Sequence, residues 1–306
     1  MEVLAGGRAH DGDAGWPLVR SARRSRWLGP ARRDRLGRMR VVDLDRDMSD
    51  VIPTGMSPDS EFLFERMTEV TLKATCADPG RWILDVASGV GQDSVALARQ
   101  GARVVGAEPS ARMTAMAEAF GSAHLDADLR RPTWVRGWAD ALPFEDDAFD
   151  AAFCKGAMDH FDDPEAAVSE MARVTRRDGR VVLAIANFDS LACRVTRAID
   201  LFRQDWLGLG PLRGRRGYDT PSDHFTRYEL DLMKEQARRH VEIETVQGVS
   251  IGWGLPGWAT LVCHLPRPLA RWLLRGLDAL ARQWPTLADV IVVVGRPRRD
   301  SATTSA

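Results

Sequence analysis

Tyrosine is nearly absent from this 306-residue chain, which has two, Tyr218 and Tyr228. Neither has a lysine four residues on, so the Tyr-x-x-x-Lys donor of many hydride-transferring enzymes is missing. The four cysteines, Cys76, Cys154, Cys193 and Cys263, are far apart and form no C-x-x-C pair. That spacing argues against a disulfide framework and for reduced thiols in a cytoplasmic setting. The six histidines are scattered, and Cys263-His264 has no second ligand pair at zinc-site spacing, so no metal is expected. No apolar run reaches the roughly 20 residues of a membrane span. A net charge of −1 gives no reason to expect a nucleic-acid partner. It conceals an imbalance, because residues 1–40 carry ten arginines against four acids.

What is present suits one large α/β domain. Residues 1–47 show neither helical nor strand periodicity and read as a disordered Arg-rich extension, with a single domain expected over 48–298 and a frayed tail over 299–306. A helical stripe of Phe62, Leu63, Met67, Val70, Thr71 and Ala74 marks a cap helix within 60–78. Across 80–186 strand and helix signals alternate. The strands are Trp82–Val86, Arg103–Ala107, a weaker one over 133–137, another over 149–154, and Val181–Ala186. Asp163-Pro164 opens a helix as an acidic cap followed by proline. Residues 187–226 hold Gly208, Gly210, Gly214 and Gly217 around Arg213-Gly-Arg-Arg216 and read as a lid loop. Strands over 241–249 and 289–295 bracket an insertion, 250–288, carrying Trp253, Trp258, Trp272 and Trp284. The expected fold is doubly wound α/β, a mostly parallel seven-stranded sheet with a helical lid and insertion.

The chemistry concentrates after the first strand, where Gly89 and Gly91 form G-x-G-x-x-S. Ser94 stands where a dinucleotide fingerprint places its third glycine, so that signal alone is weak. Asp85 precedes the turn, inside the strand. Glu108 ends the second strand, and a carboxylate there can accept both hydroxyls of a ribose. Asp140 follows the third strand in Ala139-Asp-Ala-Leu-Pro-Phe144.

In order and spacing, L-D-V-A-S-G-V-G, V-V-G-A-E-P-S, A-D-A-L-P-F and F-D-A-A-F-C-K-G-A-M-D-H-F, followed by R-V-T-R-R-D-G-R-V, resemble the class I S-adenosylmethionine-dependent methyltransferases. The likeness is to the small-molecule branch that includes the ubiquinone/menaquinone-type enzymes, and it covers about residues 80–187. It implies a Rossmann-like methyltransferase fold and S-adenosyl-L-methionine as cofactor. Asp85, Ala87, Gly89 and Gly91 would wrap the methionine and ribose, the glycines because Cβ atoms would strike the ligand. Glu108 would hold the ribose hydroxyls with Pro109 beside the adenine, and Asp140 would accept the adenine amino group while Ala141 donates its N–H. Cys154 and Lys155 would lie next to the sulfonium and the substrate. No N/D-P-P-Y/F segment follows the fourth strand, against amino-methylating enzymes of bases or glutamine amides.

Two histidines are candidate general bases for a hydroxyl or carbon acceptor, His160 and His224. The Trp- and Phe-bearing segments 61–76, 187–226 and 250–288 predict a small apolar or aromatic acceptor. Residues 269–284 are amphipathic, with Arg271, Arg275, Asp278 and Arg282 on one face. Packing on the domain is the favoured reading, and a weak membrane-surface contact through 266–285 is the other. A nicotinamide-dependent oxidoreductase and a catalytically silent cofactor-binding relative are the rival functions.

Overall fold

The computed structural model describes residues 3–4, 56–210, 212, 219 and 225–299. His224, the Arg213–Arg216 cluster, and the N-terminal extension apart from Val3–Leu4 lie outside the described residues.

In chain order the strands are β1 (Val3–Leu4), β2 (Trp82–Val86), β3 (Arg103–Ala107), β4 (Thr133–Val135), β5 (Phe149–Lys155), β6 (Thr175–Ala186), β7 (Val241–Val249) and β8 (Val290–Pro297). The helices are α1 (Pro58–Ala74), α2 (Gln92–Arg99), α3 (Ala111–His124), α4 (Pro164–Val174), α5 (Leu191–Leu207), α6 (Leu230–His240), α7 (Trp258–His264) and α8 (Arg267–Gln283). The sheet runs β1-β4-β3-β2-β5-β6-β8-β7. From β4 to β6 all neighbours are parallel, whereas β8 pairs antiparallel with both β6 and β7. Strands β2 to β8 are the seven expected, and β1 adds an antiparallel pair of residues at the edge beside β4.

Strand β2 is buried along its whole length, so its side chains alternate between two apolar faces. Trp82, Leu84 and Val86 join α4 and α6 residues such as Met171 and Met233. Ile83 joins Leu63 and Met67 of α1 and Val95 of α2. Phe153 on β5, fully buried on that same side, contributes roughly 2 kcal/mol by its burial. Helix starts follow local chemistry. Ser110 Oγ accepts from Met113 N at 3.1 Å to cap α3, and Asp163 Oδ1 accepts from Ala166 N at 3.1 Å to cap α4.

Two segments depart from expectation. Residues 187–226 are not all loop, since α5 occupies Leu191–Leu207, capped by Ser190. Strand β6 begins at Thr175, six residues before the apolar run, because Thr175 already pairs with Phe149 ahead of a bulge. The insertion between β7 and β8 folds into α7, α8 and a single 3-10 turn, Pro285–Leu287. Among the described residues no helix is long and apolar enough to cross a membrane.

Candidate functional site

The chain runs from β2 outward to β4, then returns to β5 on the other side of β2. That reversal opens a crevice at the carboxyl ends of β2 and β5, where ligands of open α/β sheets sit. The loops bearing Asp85–Gly91, Glu108–Pro109, Gly137–Ala141 and Lys155–His160 all leave the sheet at this edge.

Asp85 shares a face of β2 with Ile83, toward α2, and is 3 % exposed. Its Oδ2 accepts from Ser94 Oγ at 2.7 Å. Burial, reinforced by the nearby Asp93 carboxylate, pushes Asp85 up to about 8, against the pull of the Ser94 hydrogen bond and Lys155. Ser94 is therefore the partner that ties Asp85 to the first turn of α2. That helix starts after Gly91 in the left-handed region, with no side chain capping its first N–H groups.

Glu108 clamps the turn. Its Oε2 accepts from Gly89 N at 3.1 Å and its Oε1 from Ser110 N at 3.0 Å. Its backbone carbonyl accepts from Gly137 N at 3.3 Å, which brings the Asp140 loop alongside. Ala87 holds φ 58°, an uncommon conformation for a residue with a side chain, as its N–H bonds the Ala107 carbonyl at 2.8 Å.

The two glycines of the turn do different jobs. A Cβ at Gly89 would meet nothing within 4 Å, leaving open space beside Glu108. A Cβ at Gly91 would lie 2.3 Å from the Trp134 ring and 3.0 Å from Ala117 Cβ. The expectation that both avoid a ligand is corrected at Gly91, where the buried indole of Trp134 from β4 takes the space.

Other predicted positions are changed as well. The Ala141 N–H is already given to the Trp138 carbonyl at 3.1 Å, closing its own turn. Cys154 is fully buried, and burial pushes its thiol far up, so the thiol is part of the core with Met158 and Tyr228. Lys155 Nζ is held at 2.7 Å from Asp93 Oδ2 and donates to Thr68 Oγ1 at 2.7 Å, joining β5 to α2 and α1. Pro109 follows Glu108, half-buried, and its carbonyl accepts from Arg136 Nη2 at 3.0 Å. His160 closes a single 3-10 turn, Met158–His160, with Nε2 at 3.9 Å from Asp159 Oδ1. The chain returning after His224 is fastened to the same turn by Phe225 N, which donates to the Asp159 carbonyl at 2.7 Å.

Beyond β6 a second frame was not foreseen. Asp289 precedes β8, whose first residue pairs with Ala186 at the end of β6. Its Oδ2 accepts from Trp253 N at 3.0 Å and its Oδ1 from Gly252 N at 3.3 Å, while Trp253 Nε1 donates to Ser60 Oγ of α1 at 3.0 Å. Burial pushes the Asp289 carboxyl up to about 7. The insertion is thus hooked onto the cap helix beside the crevice. These partners, like Ser94 and Asp93, lie far from one another in sequence and have no local pattern.

Three properties suit S-adenosylmethionine: open space at Gly89, an uncapped helix start for a carboxylate, and acids at Asp85, Glu108 and Asp140 for ammonium, hydroxyl and amino groups.

Residues 84–183 match the model of a methyltransferase domain. The chain is 33% identical over 101 residues to the "uncharacterized methyltransferase YcgJ" of Bacillus subtilis, covering 33% of this chain and 39% of that protein. It is 35% identical over 157 residues to a demethylmenaquinone methyltransferase of Beutenbergia cavernae, covering 47% of this chain and 60% of that protein. The aligned parts therefore span about half the length of these curated relatives. Among solved structures, magnesium protoporphyrin IX methyltransferase from Synechocystis with bound S-adenosylhomocysteine superposes with a TM-score of 0.52 at 16% identity, over 82% of this chain and 92% of that one. This last likeness is one of fold. Residues 84–183 are thus similar to methyltransferase domains, and the sheet and helices around them form a Rossmann-like α/β fold shared with solved methyltransferases.

Proposed function

We propose that this chain moves a methyl group from S-adenosyl-L-methionine to a small apolar or aromatic acceptor. The observation that carries the reading is the Glu108 carboxylate, which bridges the Gly89 and Ser110 N–H groups beside open space. In that position it can receive a ribose as well as order the turn. When bound, the cofactor supplies an activated methyl on a sulfonium. The chain's own task is then to bind, orient and exclude water. Asp85, Gly89 and Glu108 hold one side, and the Asp140 loop closes the adenine end. The Lys155–Asp93 pair keeps the lysine charge neutralised at the end of β5, where a positively charged sulfonium would otherwise be repelled. For a hydroxyl or carbon acceptor, His160 takes the released proton at Nε2, the ring nitrogen facing Asp159. Acceptor walls come from α1, α5 and the 250–288 insertion, the first and last of which are joined by the Asp289–Trp253–Ser60 chain of hydrogen bonds.

Calorimetric titration with S-adenosylhomocysteine and, separately, NADH tests the reading. Binding of the first in the micromolar range and none of the second is expected. No binding of S-adenosylhomocysteine refutes it. The nicotinamide alternative draws no support from the family match or the relatives.

A further inference from the structure

Apolar surface is unevenly placed on this molecule. Helices α2, α3, α4 and α6 expose no large apolar side chain. In contrast, α5 exposes Leu201, Phe202 and Trp206, and α8 with the residue ending it exposes Leu269, Trp272, Leu280 and Trp284. Among the described residues the three exposed tryptophans are Trp206, Trp272 and Trp284, at 78 %, 72 % and 51 %.

Packing on the domain accounts for only part of α8. Its inward face is Ala270, Leu274, Asp278 and Ala281. At 3.6 residues per turn, Leu269, Trp272, Gly276 and Leu280 fall on the far side of the helix, so α8 has a second apolar stripe that the domain leaves uncovered. Between the two stripes run Arg271, Arg275 and Arg282, along a cleft of about 660 Å3 shared with Arg66 and Lys73 of α1. The acids there are largely engaged. Asp278 is held by Arg66 at 3.0 Å and Arg282 at 3.3 Å, Glu69 by Arg66, and Glu65 by Arg271 at 3.5 Å. Arg275 has no ion pair among the described residues. Helix α5 starts beside α8, with Leu191 packed in one cluster with Leu277 and Ile251.

The charge and the side chains together select the occupant. A protein partner matched to the stripe would need apolar surface only, but this stripe is flanked by arginines on a molecule whose net charge is −1. Tryptophan and leucine facing outward with arginines along the flank is the arrangement of a helix lying in the plane of an acidic lipid interface. Long arginine stems let the guanidinium groups reach from the flank to the phosphates. We propose that α8, with the exposed part of α5, docks this protein on an anionic bilayer surface. Trp272, Trp284 and Leu269 enter the interface, and Arg271, Arg275 and Arg282 meet the headgroup phosphates.

Flotation of the full chain with phosphatidylcholine vesicles, with and without phosphatidylglycerol, is the test. The chain should float with the mixed vesicles, and binding should fall at least tenfold between about 0.05 and 0.5 M salt. The double variant Leu269→Ser/Trp272→Ser should bind at least tenfold more weakly, with an unchanged circular dichroism spectrum because both side chains are exposed. Arg271→Gln/Arg275→Gln should lose most of the dependence on phosphatidylglycerol, and Arg238→Gln on the distant α6 should change nothing. No flotation with the mixed vesicles overturns the proposal, as does equal flotation of the serine variant. Concentration-dependent dimerisation that the serine variant abolishes, without vesicle binding, would assign the face to a second copy and also overturn it.

Discussion

The two halves of this molecule solve opposite problems. In residues 82–186 each strand is followed by a loop whose polar groups are tied back to the sheet, as Glu108 ties Gly89 and Ser94 ties Asp85. The helices of that half expose no large apolar side chain. In residues 187–289 helices α5, α7 and α8 show tryptophan or leucine to solvent, and two buried carboxylates tie the insertion to α1, Asp289 through Trp253 and Asp278 through Arg66. The polar ties of the first half suit the cofactor proposed above, and the apolar excess of the second is what the proposed acceptor or lipid interface would meet.

The sharpest way to break this contrast is to remove the clamp of the first half. Glu108→Ala deletes a charged acceptor that serves two backbone donors and, in the proposed complex, a ribose. Hydrogen bonds to charged groups contribute about 1.5–3 kcal/mol each, so S-adenosylhomocysteine binding should weaken by roughly 100-fold in a calorimetric titration. Vesicle flotation should be untouched if the halves act separately.

A smaller effect separates the two glycines. Gly91→Ala puts a methyl into the Trp134 ring at φ 76° and should cost about 3 kcal/mol of stability, read as a lower midpoint in denaturant. Gly89→Ala has open space around it and should cost about 1 kcal/mol of stability for its positive φ. It should weaken S-adenosylhomocysteine binding more than it lowers the midpoint. Equal losses in both measurements for both variants would merge the two roles.

This pair also marks how far the sequence could be read. Strands β2, β3 and β5 stand out because a buried parallel strand is a short unbroken apolar run between polar breaks. The turn, Glu108 and Asp140 stand out because they follow those strands at fixed distances. Trp134 as the neighbour of Gly91, Ser94 as the partner of Asp85, and Thr68 with Asp93 around Lys155 do not, because nothing local announces a contact between residues 9 to 87 positions apart. Helix α5 is hidden for another reason. Val195, Ile199, Phe202 and Trp206 recur at i, i+4, i+7 and i+11, but this apolar stripe faces solvent while Ala192, Cys193, Thr196 and Asp200 are the buried residues, so burial does not follow the apolar pattern. The candidate crevice was legible as a set of positions at one edge of the sheet, and its side-chain bonding was not.

A pH profile probes the buried carboxylates of both halves. Asp85 rises from an ordinary carboxylate value to about 8 and Asp289 to about 7, each chiefly by burial. Between about pH 4 and those values the unfolded chain has released protons that the folded chain keeps, so stability falls as pH rises. The thermal midpoint should therefore be higher at pH 5 than at pH 8. Asp85→Asn should shrink the difference by several degrees and leave the share of Asp289. Binding should follow the same logic. A cofactor ammonium placed beside Asp85 favours its charged form, so S-adenosylhomocysteine binding near pH 7 should release protons, seen as a dependence of the calorimetric heat on buffer. Asp85→Asn should remove it.

The smallest expected effect compares two helix caps of like chemistry. Ser110 caps α3 and Ser190 caps α5, each through its hydroxyl, and loss of either should cost its helix about 1 kcal/mol. The cost should be registered differently. Helix α3 covers Trp134 and Gly91 through Ala117, so its start is part of the cooperative core, and Ser110→Ala should lower the global midpoint. Helix α5 buries Ala192, Cys193, Thr196 and Asp200, but its last turns stand in solvent. Its opening can therefore proceed without the sheet. Ser190→Ala should accelerate amide exchange along 195–207 by several-fold while the global midpoint moves little. If Ser190→Ala lowers the midpoint as much as Ser110→Ala does, α5 folds as one unit with the sheet, and the division between a rigid ligand-holding half and a separately yielding surface half fails.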